Sequence, residues 1–162
     1  MGAGKSTVGR RLARRLGLPF VDSDVEIEEA SGSSTSELFE KYGERDFRDG
    51  ERRLVARLID GTVRVIATGG GAFIDPRTRQ LLNERAITIW LDAPVDVLAE
   101  RTGRRNNRPL LRRGNRGETL SRLADERHPM YSEAQIHIRS GAGAHSDVVE
   151  AIVSALHERF AK

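Results

Sequence analysis

The chain opens with a segment, Gly2-Ala3-Gly4-Lys5-Ser6-Thr7, whose residue types and order suit the binding of a nucleotide phosphate. It matches the end of the pattern G-x-x-x-x-G-K-[ST], in which glycines let successive backbone N–H groups curve around a phosphate. A helix that starts near Lys5 adds the positive end of its dipole. Lys5 can reach the β- and γ-phosphates, and the Ser6 hydroxyl can ligate Mg²⁺. The alternative is a glycine turn that only caps a helix.

Two carboxylates follow the next apolar stretch. Pro19-Phe20-Val21 is predicted to form a short buried strand that Asp22-Ser23-Asp24 closes. Because side chains alternate along a strand, the two carboxylates are expected to point to the same side. One can hold Mg²⁺ through water, and the other can accept a proton or a hydrogen bond from a substrate hydroxyl. The alternative is an Asx cap for a helix that starts at Val25.

An arginine and a glutamate lie three residues apart in Phe47-Arg48-Asp49-Gly50-Glu51, so they share one face of a predicted helix. Such a pair is either a surface salt bridge that contributes little, or a guanidinium fork that Glu51 fixes for a carboxylate ligand. Considered alone, the spacing favours the surface salt bridge.

Two further segments suit a ligand site. Residues 68–72 (TGGGA) follow a β-branched strand predicted from Val63 to Ala67, and they bring bare backbone to a ligand. Three glycines are otherwise costly, given the entropy that each loses on ordering. Residues 101–111 (RTGRRNNRPLL) predict a mobile basic lid whose arginines close over ATP and offset charge on the transferred phosphoryl group. A flexible solvated loop is the alternative.

The elements that must position these segments alternate between helix and strand. Helices are predicted over Lys5 to Leu16, onward from a capping box formed by Ser34 to Glu37, over Arg45 to Ile59, onward from Asp75-Pro76, over Pro94 to Arg101, after residue 117 up to about Ala134, and over Ser146 to Phe160. Further strands are predicted over 86–91 and 135–139. This order implies an α/β fold of three layers, a parallel sheet with helices on both faces. Ligands then bind beyond the carboxyl ends of the strands, and each motif above falls at such an end.

Length and composition narrow the class of protein. With 162 residues, 38% hydrophobic and 31% charged, the chain suits one globular domain over residues 1–162. The absence of cysteine excludes disulfides and thiol catalysis, and it fits a cytoplasmic setting. The four histidines lack the spacing of metal ligands and are assigned surface or packing roles. Trp90, in an apolar strand, is predicted to be core.

Charge and hydropathy predict few macromolecular partners. The 27 basic and 24 acidic residues are interspersed, which favours a solvated surface over nucleic-acid binding. No stretch approaches the roughly 18 apolar residues of a membrane span, and the start of the chain does not resemble a signal peptide. Because no apolar surface stripe is evident, we expect a monomer.

Together these segments resemble the shikimate kinase family of P-loop kinases. The resemblance rests on G-A-G-K-S-T, D-S-D, F-R-x-x-E, G-G-G and R-P-L-L, followed by Arg127-His128-Pro129-Met130-Tyr131, in the family's order and spacing over essentially the whole chain. It implies transfer of the ATP γ-phosphoryl group to the 3-hydroxyl of shikimate. It also implies a shikimate-binding subdomain at about residues 23–51 and a mobile lid at about residues 102–117, and it places an adenine loop at residues 140–146.

The resemblance implies a role for each motif residue. The ATP-binding set is Gly2, Ala3, Gly4, Lys5, Ser6, Thr7, Arg101 and Arg108; the shikimate-binding set is Asp24, Arg48, Gly69, Gly70, Gly71 and Arg127; the magnesium set is Ser6 and Asp22. Lys5, Asp24 and Arg108 would be catalytic. Asp24 would orient or deprotonate the hydroxyl, and Arg101 would stack on adenine. Arg48 and Arg127 would grip the carboxylate.

Three other functions stay open on the residues alone. A gluconate kinase or a nucleoside monophosphate kinase would share the phosphate-binding segment, although the acidic pair, Arg48 and the triple glycine argue against both. A non-catalytic ligand-sensing domain is favoured only by the incomplete phosphate motif.

The first glycine of the phosphate motif would lie five residues before Gly4, which is two places before Met1. The strand that feeds such a loop would precede it. We therefore expect the natural protein to carry about eight further residues, a typical strand plus two loop positions. Intact-mass measurement on protein from its native source tests this: a mass greater than that of the 162-residue chain by about this segment is expected, and a mass equal to that chain would contradict it.

Overall fold

The computed structural model describes residues 3–103 and 116–161. Its helices are α1 (Lys5–Leu16), α2 (Ser23–Ser31), α3 (Thr35–Leu58), α4 (Pro76–Arg85), α5 (Val95–Gly103), α6 (Arg116–Tyr131) and α7 (His145–Phe160). Its strands are β1 (Phe20–Asp22), β2 (Val65–Ala67), β3 (Ile89–Asp92) and β4 (Ile136–Arg139). The predicted alternation of helices and strands is confirmed. Over the described ranges, no helix combines the length and apolar character needed to cross a membrane.

The strands pair in parallel, as predicted. β1 pairs with β2, with Asp22 opposite Ala67, and β3 pairs with β4, with Asp92 opposite Arg139. Because paired parallel strands end at the same edge, the residues that follow β1 and those that follow β2 are brought together. This register is the reason why the acidic pair and the triple glycine can meet, although Ser23, between the two acids, and Gly69 are 46 positions apart in sequence.

The chain divides into two compact units. The first unit contains Met1–Leu12 and Thr88–Lys162, and the second contains Ala13–Ile87. Buried residues of the first unit include Val8, Leu12, Leu120, Ile136, Ile138, Val148, Val149, Ile152 and Val153. Those of the second include Leu54, Val55, Leu58, Ala67, Ala72, Phe73 and Leu82. The single domain over residues 1–162 stays a prediction.

Helix α3 carries Arg48 and Glu51, and local chemistry fixes where it begins. The Ser34 side chain accepts the backbone N–H of Glu37 at 3.2 Å, and the Glu37 carboxylate accepts the N–H of Ser34 at 2.8 Å. This is the predicted capping box, which satisfies two N–H groups that a helix start leaves without partners. The helix bends at Gly43, whose φ of 79° few other residues adopt. The helix predicted from Arg45 therefore continues one that starts ten residues earlier.

Two predicted strand boundaries differ from the structure. The strand predicted from Val63 begins at Val65, because Val63 is 70% exposed and lies outside the ladder. The strand predicted over residues 86–91 is β3, shifted toward Asp92. Element ends are set by hydrogen bonds to the neighbouring strand, which apolar patterns do not encode.

Candidate active site

The acidic pair spans the junction between the end of β1 and the start of α2. Asp22 is the last residue of β1 and the N-cap of α2, and its carboxylate accepts the backbone N–H of Asp24 at 3.1 Å. The predicted strand alternation over residues 22–24 is therefore wrong, because the helix begins at Ser23. An Asx cap is present, as the alternative expected, but it is Asp22 and its helix starts at Ser23, not at Val25. Asp24 lies in the first turn of α2.

Arg48 and Glu51 form an ion pair in which the glutamate is buried and the arginine is partly exposed. Nη1 of Arg48 donates to Oε2 of Glu51 at 2.6 Å, and the Glu51 side chain is 1% exposed. The Phe47 and Phe39 rings flank the guanidinium, with centroids 5.2 and 5.9 Å from Cζ of Arg48. The surface salt bridge favoured by spacing alone is wrong. The arrangement corresponds to the alternative, a guanidinium held by a glutamate partner.

Burial changes the acidity of this glutamate. Removal of water raises the pKa of Glu51 above its ordinary value, and this outweighs the charge and hydrogen bond of Arg48, which lower it. The negative charges of Asp24 and Asp75 also raise the pKa of Glu51. Asp24, Arg48 and Glu51 thus form one electrostatic cluster.

The glycines after β2 are needed because side chains approach their backbone closely. A Cβ at Gly71 would lie 2.7 Å from Nη1 of Arg48, nearer than real Cβ atoms come to any neighbour. A Cβ at Gly69 would lie 2.7 Å from Oδ1 of Asp24 and 3.1 Å from Oε1 of Glu51. The predicted bare backbone is therefore present, and it contacts the same three charged side chains.

Ser23 joins the two segments of the cluster. Its hydroxyl oxygen accepts the backbone N–H of Gly69 at 3.2 Å, and its side chain is fully buried. No role of its own was predicted for Ser23. A small polar residue between two acids, just after an apolar strand, is the signal that could have identified it, because buried hydroxyls need hydrogen-bond partners.

The phosphate-binding segment lies in the first unit. Gly4 has a φ of 89°, a left-handed conformation that suits glycine, and its carbonyl accepts the N–H of Val8 at 2.8 Å as α1 begins. Lys5, Ser6 and Thr7 form the first turn of α1 and are half-buried. The backbone therefore has the glycine turn and the helix start that bind phosphates in other proteins.

Residues of the first unit hold this loop in place. The Ala3 carbonyl accepts hydrogen bonds from Oγ of Ser140 at 3.1 Å and from Nη1 of Arg101 at 3.4 Å. Nη2 of Arg101 donates to the Gly141 carbonyl at 2.8 Å. A Cβ at Gly4 would lie 3.4 Å from Cε1 of His145, so this histidine packs against the loop. The adenine loop expected at residues 140–146 includes Ser140, but the contact of Ser140 with Ala3 was not predicted, because it spans 137 positions in sequence.

The acidity of His145 follows from this packing. Burial lowers its pKa, and the positive charges of Arg101 and Arg11 lower it further. The packing of His145 against the loop agrees with the surface or packing role predicted for the histidines.

Some of the remaining predicted site residues lie in the described part of the chain, and others lie outside it. Arg127 lies on α6 in the first unit and is half-buried. Gly70 lies between the two glycines already described, and Asp22 and Asp24 flank Ser23. Gly2, Arg108 and all but the ends of the predicted lid at residues 102–117 lie outside the described residues.

A magnesium ion is compatible with this donor set. Ser6 and Asp22 offer a hydroxyl and a carboxylate oxygen, which are hard donors that Mg²⁺ prefers. In residues 3–103 and 116–161, no group of three or more acidic or histidine side chains could hold a metal ion.

Comparison with known proteins agrees with these features. The family model described as Shikimate kinase matches residues 1–157. The chain is 53% identical to a shikimate kinase of Caulobacter vibrioides over 161 residues, covering 99% of this chain and 80% of the relative. It is 54% identical to a shikimate kinase of Novosphingobium aromaticivorans over 163 residues, covering 98% of this chain and 84% of the relative.

The fold has a solved counterpart in a shikimate kinase from Acinetobacter baumannii in complex with shikimate. That structure aligns with a TM-score of 0.94 and 40% identity, covering 100% of this chain and 91% of the other. Family model, relatives and structure point to the same family, which the motifs had indicated. The chain belongs to the shikimate kinase family.

Proposed function

We propose that this chain transfers the γ-phosphoryl group of ATP to the 3-hydroxyl of shikimate, giving 3-phosphoshikimate and ADP in chorismate biosynthesis. The observation that carries the proposal is the cluster in the second unit. A guanidinium paired with a buried glutamate lies against the backbone of Gly71, and the Asp24 carboxylate lies beside Gly69. This cluster offers a fixed cation and a separate carboxylate.

The cluster suits the chemistry of shikimate, a small anion with hydroxyl groups. Arg48 binds the carboxylate of the substrate, because a planar guanidinium matches a carboxylate in shape and charge. Glu51 and the two phenylalanine rings hold the guanidinium in one orientation, so little ordering remains for the substrate to impose. Gly69, Gly70 and Gly71 line the ring, and Arg127 is the second carboxylate ligand.

Asp24 acts on the acceptor hydroxyl. As a carboxylate in the first turn of α2, it accepts a hydrogen bond from the 3-hydroxyl and orients or deprotonates it during attack on the γ-phosphorus. The hydroxyl proton passes to a carboxylate oxygen as the new P–O bond forms and the bond to ADP breaks.

The first unit holds ATP. The backbone from Gly2 to Thr7 surrounds the phosphates, and Lys5 contacts their outer oxygens. Arg101 stacks on adenine, and Arg108 offsets charge on the transferred group. Phosphoryl transfer requires mainly positioning and charge stabilisation, which these groups supply.

Magnesium is a proposed cofactor, held by Ser6 and, through water, by Asp22. A bound Mg²⁺ would offset the negative charge of the phosphate groups. A monomeric state, a cytoplasmic location and the absence of nucleic-acid or membrane partners are further parts of the proposal.

Coupled measurement of ADP release with MgATP tests the function. Shikimate, gluconate and a set of nucleoside monophosphates are each offered as acceptor. Among these acceptors, only shikimate is expected to give ADP release. Release with another acceptor instead would support one of the two other kinase classes, and shikimate binding without ADP release would support a sensor.

Substitution Asp24→Asn keeps the size of the side chain and removes its charge. We expect kcat to fall by about 10²- to 10⁴-fold, the usual contribution of general acid–base groups. The dissociation constant of ATP, measured by calorimetry, is expected to change little. Unchanged turnover would refute the role of Asp24.

Substitution Gly71→Ala places a methyl group where the Arg48 guanidinium lies. We expect the KM for shikimate to rise by about tenfold or more, since displacing the Arg48 guanidinium removes its charge-assisted contact with the substrate carboxylate. The matched control is Gly50→Ala, whose Cβ would meet only Nη2 of Arg53 at 3.9 Å. Equal kinetic effects of the two substitutions would contradict the proposed Arg48 contact.

The raised pKa of Glu51 predicts a pH dependence of stability. Because the folded-state pKa lies above the unfolded value, the contribution of Glu51 is fully present below its ordinary pKa and is lost as pH rises through the raised value. We expect the unfolding free energy of the wild type to fall, relative to that of Glu51→Gln, as pH rises through that range. Denaturant titrations at several pH values measure it, and a constant difference would contradict the raised pKa.

A further inference from the structure

We propose that Trp90 and His137 are positioning residues for Arg127, acting by fixing the last turn of α6. The inference rests on the proposed function, because it assumes that Arg127 binds the carboxylate of shikimate. The four aromatic and histidine side chains involved, Trp90, His128, Tyr131 and His137, form what we call the Trp90 cluster, and all lie in the first unit.

The last turn of α6 has an intrinsic weakness. Pro129 lies inside the helix and has no backbone N–H, so one helical hydrogen bond is missing there. Proline also disfavours helical geometry in the residue before it, which is His128. Arg127 precedes this pair directly. A turn of this kind needs support from packing to hold one conformation.

Trp90, on β3, supplies that packing. Its ring contacts the His128 ring edge to face, with centroids 4.9 Å apart, and the Tyr131 ring at 6.0 Å. Both partners lie on the turn that contains Pro129. Tyr131 is four residues after Arg127, so the two share a face of the helix. A fixed Tyr131 and His128 therefore restrict where the intervening turn, and Arg127 with it, can lie.

His137, on β4, also packs against the indole. Its ring packs edge to face against Trp90, with centroids 5.2 Å apart. Its Nε2 lies 3.0 Å from the Ser132 carbonyl and 2.9 Å from the Ala134 carbonyl. Carbonyl oxygens only accept hydrogen bonds, so Nε2 carries the proton and donates. The chain that leaves α6 is thereby tied to β4.

The segment after the helix is also closed by its own hydrogen bonds. Oγ of Ser132 donates to the Pro129 carbonyl at 2.7 Å, and the N–H of Ser132 donates to the His128 carbonyl at 2.9 Å. The Trp90 cluster thus acts on a short, closed turn, and a shift of that turn moves Arg127 as well. Loss of the cluster should weaken shikimate binding and leave ATP binding unchanged.

The experiment measures steady-state kinetics of the full chain with Trp90→Ala and Trp90→Phe. We expect Trp90→Ala to raise the KM for shikimate by about tenfold, since the ring contacts that hold the turn next to Arg127 are lost. The KM for ATP should stay within about twofold of the wild type, well below the tenfold change that about 1.4 kcal/mol produces. Trp90→Phe, which keeps an aromatic ring, should have a KM for shikimate close to that of the wild type. Phe160→Ala, which removes a 73% exposed ring in the same unit, is the matched control and should change neither KM.

A second pair of variants tests the histidine without removing the tryptophan. His137→Gln retains a side-chain N–H donor, and His137→Leu does not. We expect His137→Leu to raise the KM for shikimate and His137→Gln to raise it less. These variants keep the proposal testable if Trp90→Ala does not fold, which thermal unfolding would reveal.

Combination with Arg127→Ala separates positioning from general damage. If the Trp90 cluster acts through Arg127, Trp90→Ala has no further effect on kcat/KM for shikimate once Arg127 is absent. An equal effect of Trp90→Ala in both backgrounds would overturn the inference while the carboxylate role of Arg127 stands. If Arg127→Ala alone leaves the KM for shikimate unchanged, the proposed role of Arg127 fails, and the inference fails with it.

Discussion

A guanidinium largely withdrawn from water needs an anionic partner and room for its planar group, and Arg48 has both. Glu51 supplies the charge at 2.6 Å, and the missing Cβ of Gly71 supplies the room. Removing one partner of such a buried pair is far more costly than the pair is stabilising, because an uncompensated charge remains. The Arg48–Glu51 pair therefore adds little to the stability of the fold, but it strongly restricts which residues can surround it.

Several other features of the second unit follow from this constraint. The parallel pairing of β1 with β2 places Asp22 opposite Ala67. Asp24 and Gly69 each lie two residues beyond this pair, so the acidic pair and the triple glycine leave the sheet side by side. Ser23 then fixes Gly69 by a hydrogen bond, and Gly69 in turn leaves space for the Asp24 carboxylate. A larger residue at either glycine would displace a charged side chain. The same short backbone thus sets the positions of the proposed carboxylate ligand and of the proposed acceptor of the hydroxyl proton.

Local patterns in the sequence predicted which segments form helices and strands. They predicted less well what surrounds each residue in the folded chain. The capping box at Ser34 and the helix from Lys5 to Leu16 were predictable, because caps and helical periodicity involve residues a few positions apart. The alternation expected for Asp22 and Asp24 was wrong, because an aspartate that ends a strand can also cap the next helix. The burial of Glu51 could not be predicted from its spacing to Arg48, since it depends on a loop that begins well after α3 in the chain.

The residue types of the candidate site were predictable for a different reason. A phosphate needs glycines and a lysine, and a carboxylate ligand needs an arginine, so the motifs by themselves indicate the chemistry. The partners that hold those residues, such as Ser23, Ser140 and Trp90, lie far away in sequence from what they contact. Their roles depend on strand register and helix packing, which the local patterns of a single sequence do not specify.

The close approach of Arg48 to Gly71 is tested most directly by a double-mutant cycle in unfolding free energy, using the wild type, Gly71→Ala, Arg48→Ala and the double variant. We predict that Gly71→Ala destabilises the wild type by about 1–3 kcal/mol, as overpacking does. In the Arg48→Ala background the same substitution should cost less than about 0.5 kcal/mol, because the space is empty and neighbouring sites couple. Equal destabilisation in both backgrounds would contradict the account, since Gly71 would then be required for a reason other than the arginine.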